Sequence, residues 1–394
     1  MKIVVIIPTY NEEENISRTI KTLLNVFHEI PNHQMHILVT DANSPDRTAG
    51  VVRELIKQYP NIHLIVEKEK RGLGAAYSEA MKYAFDVMNA EYIISFDADL
   101  SHEPKVIPLF VKAFEEGYLY VCGTRYRKGG GIPENWGWHR KLLSWAGNAF
   151  IRLLYFNSGM TDFTSGYKGI SKDLFHKISE KIGRHGGYTF AISLNLEPIR
   201  LGIKPYEIPY HFIDRTLGKS KMGSEYFKNA LIFVIRSRVA DFIYSRFGKV
   251  FIAGALGAVS QLISYRILFE PLFDTQNILN LPKNYLIYGF TIHPQFLISQ
   301  LLAIEVGVFV SFYVNNLWAF GDKKLHGLLF LRRFAKNHLV VSGSILIQVL
   351  IAQVLAAHFG MEHGLKYVYQ IIGILVGLIW NFYFYKKIIW KVKK

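Results

Sequence analysis

Asp97 and Asp99 stand two residues apart, where the apolar run Tyr92-Ile-Ile-Ser-Phe96 comes to an end. In an extended chain, side chains at i and i+2 share a face, so both carboxylates point the same way. Two carboxylates held that close repel each other unless something positive sits between them. A hard divalent cation with oxygen ligands, Mg²⁺ or Mn²⁺, meets that need, and such an ion usually binds substrate phosphates as well. The competing reading is a strand that merely ends in a polar turn. The tripeptide alone is compatible with both.

The segments that must position these carboxylates alternate in character. Strand-like runs at Lys2–Ile7, His36–Thr40, His63–Glu67 and Tyr92–Phe96 are separated by helical patterns that begin near Glu13, at Thr48 and at Leu73. That alternation predicts βαβ units and a mainly parallel sheet, with helices on both faces. Ligands of such sheets gather beyond the carboxyl ends of the strands. There the sequence places polar loops: Pro8-Thr-Tyr-Asn-Glu12, Asp41-Ala-Asn-Ser-Pro-Asp46, Lys68–Gly74 and Asp97-Ala-Asp99. A Gly-x-Gly-x-x-Gly loop is absent after the first strand, which argues against a nicotinamide or flavin enzyme.

The 394 residues suffice for two or more domains, half are hydrophobic, and the net charge is +15. Such a charge suits nucleic acid, an anionic membrane surface or an anionic substrate; of these, no nucleic-acid partner is expected. Cys122 is the sole cysteine, which excludes an intramolecular disulfide and a cysteine zinc site. Met1 leads directly into a strand-like run, so no signal peptide is expected and the N-terminal half is expected in the cytosol. Beyond residue 248 four apolar segments follow, at about 249–268, 294–314, 338–358 and 367–388, each near the ~20 residues that a membrane-spanning helix needs. Lys323, Lys324, Arg332, Arg333 and Lys336 lie between the second and third segments, and five lysines close the chain. The other two connections carry only Lys283 and Lys366. Positive loops stay inside, so both termini are expected on the cytosolic face of a multi-pass protein. Glu305 falls within the second segment, where a carboxylate needs a partner, and Gln261 in the first segment is a candidate. Trp136–Phe156 and Tyr226–Phe247 mix aromatic and basic residues, as membrane-interface helices do.

Taken in order, Pro8-Thr-Tyr-Asn-Glu12, Asn43-Ser-Pro-Asp46, Gly72-Leu-Gly-Ala-Ala76 and Asp97-Ala-Asp99 resemble an inverting family 2 glycosyltransferase. The likeness narrows to the dolichol-phosphate mannose synthase group through Gly123-Thr-Arg-Tyr126, Asn135-Trp136, Arg140–Ser144, Asp162–Gly166, Gly187-Tyr188, Arg215 and Ser220-Lys-Met222. It covers about residues 1–225, and the apolar segments resemble the four-helix membrane domain of some members. The resemblance implies a nucleotide-sugar-binding GT-A fold over 1–225, interface helices over 226–248 and an all-α transmembrane domain over 249–394. It also implies site roles. Pro8, Tyr10, Glu12, Asp41, Asp97, Ala98, Asp99, Arg215 and Lys221 would bind the donor nucleotide. Arg125, Arg140 and Ser144 would hold the acceptor phosphate, and Asp97, Asp99 and Arg125 would be catalytic. Asp99, joined by Ser101, would carry Mg²⁺ or Mn²⁺. Arginine suits phosphate because its planar fork grips two oxygens at once. Lys128–Pro133 reads as a loop that opens for the acceptor and closes over the sugar.

The implied reaction moves a hexose, first of all mannose from GDP-mannose, to dolichyl or polyprenyl phosphate, and a homo-oligomer is compatible with it. Three positions depart from the group's pattern: Ala42 for a second aspartate, Ser101 for glutamine and Ser193 for glutamate. These keep UDP-glucose open as the donor. A different class also stays open: a membrane protein that binds or moves a lipid-linked sugar beside a non-catalytic sensor domain. A processive polysaccharide synthase would need a Gln-x-x-Arg-Trp motif, and the sequence has none.

Overall fold

The computed structural model describes residues 1–69, 72–182, 187–214, 224–282, 284–287, 290–361 and 364–384. Arg215 and Lys221, expected to bind the donor, lie outside these residues. The chain divides into two compact units, Met1–Arg238 and Val239–Lys394.

The first unit opens with β1 (Lys2–Thr9), α1 (Glu13–Phe27), β2 (Gln34–Asp41), α2 (Thr48–Gln58), β3 (Ile62–Val66), α3 (Leu73–Lys82) and β4 (Tyr92–Ser95). After it come α4 (Ile107–Glu115), β5 (Tyr120–Thr124), α5 (Trp138–Leu154), β6 (Lys168–Ser171), α6 (Lys172–Ile182), α7 (Gly187–Arg200), β7 (Tyr206–Pro209) and α8 (Ser224–Tyr244), which crosses the boundary between the units. The seven strands form one sheet in the order β3-β2-β1-β4-β6-β5-β7. β6 runs antiparallel to both of its neighbours, and every other pairing is parallel. The α/β sheet expected from the alternation is therefore present, with one reversed strand set beside β4.

The pleat sorts the strand residues between two cores. Ile3, Val5, Ile7, Ile37, Val39, Ile94 and Val121 pack with α1, α2 and α4 on one face. Val4, Ile6, Leu38, Ile93, Cys122 and Ile170 pack with α3, α6 and α7 on the other. Strands buried on both faces are apolar throughout, which is why their sequences run hydrophobic instead of alternating.

The second unit holds α9 (Arg246–Ser264), the hairpin β8 (Tyr285–Ile287) and β9 (Phe290–Ile292), α10 (Pro294–Val314), α11 (Gly327–Phe359) and α12 (Leu365–Phe384). Three stretches are long and apolar enough to cross a membrane: Arg246–Phe273, Pro294–Ala319 and Val341–Phe359. In the region of the fourth expected segment, Leu365–Leu378 forms a shorter apolar helical stretch. α9 and α10 approach through facing glycines. A Cβ on Gly257 would lie 2.6 Å from the Gly307 carbonyl oxygen, and one on Gly307 would lie 2.8 Å from that of Gly257. Small residues allow such close backbone packing between apolar helices, where dispersion contacts replace the missing hydrophobic drive. Glu305 does not pair with Gln261. Its carboxylate meets His338 Nε2 at 2.8 Å, while Gln261 Nε2 donates to Gln348 Oε1 at 3.3 Å.

Candidate active site

A cleft of about 1370 Å³ opens along the carboxyl ends of the parallel strands. Its walls include Pro8, Tyr10, Glu12, Asp97, Ala98, Asp99, Ser101, Arg125, Arg140 and Ser144, all of which the sequence singled out. These residues come from four separate stretches of chain. The sheet topology brings them together, since β1 and β4 are neighbours and β5 lies just beyond β6.

At the β1 end, Asn11 takes a left-handed conformation (φ 55°) and swings the chain from strand into helix. Glu12 then caps α1, its carbonyl accepting from Asn15 N and Ile16 N while its own N–H donates to Thr48 Oγ1. Asp41 does not reach the cleft. It is fully buried, with Oδ1 accepting from Ser44 N and Oδ2 from the hydroxyls of Thr9 and Ser44. Its carboxylate thus braces the β2 loop, and the neighbouring Ala42 lines the wall instead. Glu12 and Asp41 were read alike as polar loop residues, yet the fold leaves just one of them facing the cavity.

At the β4 end, Leu100 is also left-handed (φ 60°), a costly state for a leucine that turns the chain sharply after Asp99. Asp99 Oδ1 accepts from Ser101 N at 3.0 Å. Asp97 N donates to His102 Nδ1, so a neutral ring carries its proton on Nε2, which lies 3.5 Å from Asp97 Oδ2. His102 is buried, stacked on Tyr167 with ring centroids 4.6 Å apart. Burial pushes its pKa down to about 3, against the opposing pull of Asp99. Its Nδ1 thus accepts from the Asp97 backbone while Nε2 faces the Asp97 carboxylate, so His102 braces the turn that carries Asp97. No cluster of three or more His, Cys, Asp or Glu with metal-binding geometry occurs among the described residues. The pair Asp97 and Asp99 suits a hard cation that draws its remaining ligands from a bound diphosphate and water.

At the β5 end, Arg125 is buried and forked onto Asp162, with Nε–Oδ2 at 2.7 Å and Nη2–Oδ1 at 2.8 Å. Nη2 also donates to Thr164 Oγ1. Burial by itself would raise the Asp162 pKa, but the Arg125 guanidinium outweighs it and holds the carboxyl below its ordinary range. Arg140 stacks on the Trp136 ring at 3.7 Å and faces Asp214 at 3.6 Å. Ser144 Oγ shares a 2.7 Å hydrogen bond with Tyr126 Oη. α5 carries Arg140 and Ser144 on its cleft side, while Trp138, Leu142, Trp145 and Leu153 are exposed on the rest of its surface. The Lys128–Pro133 loop, expected to open and close, is tied at Gly131, whose N–H donates to the Tyr210 carbonyl and whose carbonyl accepts from Phe212 N. Ser193 does not face the cleft. Its hydroxyl donates to the Phe190 carbonyl within α7.

Several cleft residues were not legible as such in the sequence. His102, Tyr77 and Lys168 all line it. Asp162 and Glu207 lie behind it as buried anchors for Arg125 and Arg127. A signal for Asp162 was present in its match to the family pattern, but its role as the partner of Arg125 needed the fold.

Two family models match the chain: glycosyl transferase family 2 over residues 4–179, and the GtrA/DPMS transmembrane domain over 249–390. The chain is 35% identical to polyprenol monophosphomannose synthase of Mycolicibacterium smegmatis, over 58% of this chain and 83% of that protein. It is 32% identical to undecaprenyl-phosphate mannosyltransferase of Micrococcus luteus, over 60% of this chain and 93% of that one. Similarity to dolichol-phosphate mannosyltransferase of Pyrococcus furiosus runs nearly end to end, at 28% identity over 97% of this chain and 96% of that one. With two carboxylates and two arginines gathered at the strand ends of an α/β sheet, and apolar helices after it, the chain belongs to glycosyl transferase family 2 and is a membrane glycosyltransferase with a GtrA/DPMS transmembrane domain.

Proposed function

We propose that the protein transfers mannose from GDP-mannose to a polyprenyl phosphate such as dolichyl phosphate, with inversion, on the cytosolic face of the membrane. The observation that carries this reading is the opposition of charges in one cleft: Asp97 and Asp99 at the β4 end, Arg125 and Arg140 at the β5 end. A nucleoside diphosphate with a divalent cation suits the first, and an acceptor phosphate suits the second. The names of the three relatives support mannose and a polyprenyl phosphate.

Each residue then has a task. Pro8, Tyr10 and Glu12 face the nucleotide, together with Ala98, and Arg215 and Lys221 join them as donor-binding residues. Asp99 holds Mg²⁺ or Mn²⁺, with Ser101 buttressing its carboxylate from the backbone and Asp97 beside it. When bound, the cation neutralises charge that develops on the departing diphosphate. His102 orients Asp97, its Nε2 facing that carboxylate. Arg125, locked by Asp162, and Arg140, held flat on Trp136, grip the acceptor phosphate, with Ser144 as a further contact. A phosphate monoester has its second pKa near ~6, so it is a ready nucleophile at neutral pH without a strong general base. Catalysis then rests on alignment and charge, not on proton abstraction. In-line attack by the phosphate oxygen on the anomeric carbon inverts that centre and expels the nucleoside diphosphate.

The exposed apolar side chains of α5 support an acceptor that arrives from lipid, because the same helix presents Arg140 and Ser144 to the cleft. The domain division at about 225 and 248, four spans and cytosolic termini complete the proposal, on the strength of the charge asymmetry between loops. The test is a donor screen on the detergent-solubilised full chain, with Mn²⁺ and radiolabelled GDP-mannose, UDP-glucose and related donors offered to a polyprenyl phosphate. Label appearing in the lipid fraction from GDP-mannose is the expected result. Preference for UDP-glucose would replace the donor, and no transfer from any donor would end the enzyme reading in favour of a lipid-linked-sugar carrier.

A further inference from the structure

Among the described residues, three buried polar side-chain atoms line the cleft without a hydrogen-bond partner: Tyr77 Oη, Trp136 Nε1 and Lys168 Nζ. All three can donate, and a buried donor left unmet costs stability unless a ligand or water satisfies it. Trp136 belongs to the arginine end, beneath Arg140. The other two belong to the opposite end and to one face of the sheet. Lys168 on β6 is the register partner of Ser95 on β4, and its N–H donates to Ser95 Oγ at 3.0 Å. Tyr77 on α3 leans on the Ser95 side chain in a contact short of full hydrogen-bond geometry, with Asp97 nearby. Side chains at 93 and 95 share the face that packs against α3 and α7, so Tyr77, Lys168 and Ser95 gather beneath Asp97.

We propose that Tyr77 and Lys168 form the floor of the subsite for the transferred hexose and read its hydroxyl groups. The proposal rests on the transfer reading above and deepens it. Phosphate-grade cations already stand at Arg125 and Arg140, whereas this floor alternates isolated polar atoms with apolar walls from Met81, Phe190 and Leu194. A sugar ring has that same composition: hydroxyls at its edge and C–H groups on its faces. The Tyr77 phenol carries its proton at neutral pH. It can therefore both give and accept, as a hydroxyl partner requires and an ionised phosphate does not. Lys168 is buried among Cys122, Asp162 and Glu207. With Arg125 and Arg127 already bound to those two carboxylates, its ammonium has hydrogens left to give.

The experiment compares the full-length protein with Tyr77→Phe and Lys168→Met, using GDP-mannose and its 2-, 3-, 4- and 6-deoxy analogues with polyprenyl phosphate and Mn²⁺. The wild type should discriminate against at least one deoxy donor by about 10-fold or more. Each variant should lose about 10- to 100-fold in kcat/KM for the natural donor, and should stop discriminating against one deoxy position. GDP affinity should be unchanged. Tyr77→Phe removes a single oxygen atom, so it carries the test if Lys168→Met fails to fold. Loss that is uniform across all the deoxy donors would mean a structural role and overturn the proposal. Equal weakening of GDP itself would mean a phosphate contact and overturn it too. A wild type inactive with every donor would overturn the parent reading, an outcome visible before any variant is made.

Discussion

Replacing Asp162 with asparagine tests how the acceptor end is built. The carboxylate is fully buried and receives Arg125 Nε, Nη2 and backbone N–H, together with N–H donors from Thr164 and Ser165. Asparagine keeps the size but strips the charge, leaving the buried Arg125 guanidinium without a counter-ion. Breaking one side of a buried pair costs about 3–5 kcal/mol. For a unit as long as Met1–Arg238 that corresponds to roughly 6–20 °C in melting temperature. The sign with pH follows from the lowered Asp162 pKa. Its stabilising contribution is complete above the unfolded-chain value near ~4 and fades as pH falls through the folded value.

Thermal melting of the detergent-solubilised full chain, with Asp162→Asn beside the wild type, should show a large gap at pH 7 that narrows below about pH 4. The double variant Arg125→Met with Asp162→Asn should melt higher than Asp162→Asn alone, because it removes the uncompensated guanidinium while the amide oxygen still accepts from the backbone donors. The double variant should still be inactive, since Arg125 is proposed to hold the acceptor. A gap under about 2 °C at pH 7, or one that stays constant with pH, would refute the buried-pair account.

Three further expectations come from other parts of the molecule. Asp99→Ala should lower transfer by about 10³-fold or more at saturating Mn²⁺; near-wild-type rates in a Mn²⁺ titration would refute its metal role. His36 and His63, 3.2 Å apart on adjacent strands, have lowered pKa values through burial and nearby Lys2, His36 down to about 4. Their neutral forms favour the fold, so stability should be full above the unfolded value near ~6.5 and fall toward pH 4, and His36→Gln should flatten that decline in thermal melts at pH 7 and pH 5. Gly307→Leu should force α9 and α10 apart, with a cost of about 1–3 kcal/mol or more, read as a lower melting temperature and earlier aggregation in detergent; an unchanged melt would refute the close packing.

Legibility in the sequence divides along a physical line. Asp97, Asp99, Tyr10 and Glu12 could be read because strand ends in an α/β sheet must deliver their loops to one edge. The periodicity that identifies the strands also identifies those loops. Lys168 and Tyr77 could not, because their chemistry depends on what the neighbouring strand withholds. A lysine in Gly166-Tyr-Lys-Gly-Ile170 reads as a solvated charge until the antiparallel strand β6 places it on Ser95. A tyrosine on an apolar helix reads as core until its hydroxyl is found without a partner. Asp41 shows the opposite case: it looks like a ligand by type and place, yet its oxygens accept from Thr9 and Ser44. Glu305 shows the same limit in the apolar unit, where the sequence demanded a partner and offered Gln261, but helix packing supplied His338. In each case residue type signalled a need for hydrogen bonds, and non-local geometry decided whether the protein itself meets that need. Asp41 is satisfied from within and braces the fold. Tyr77 and Lys168 are not, so the unmet donors inside the cleft, and not its carboxylates, are where specificity for the sugar should be sought.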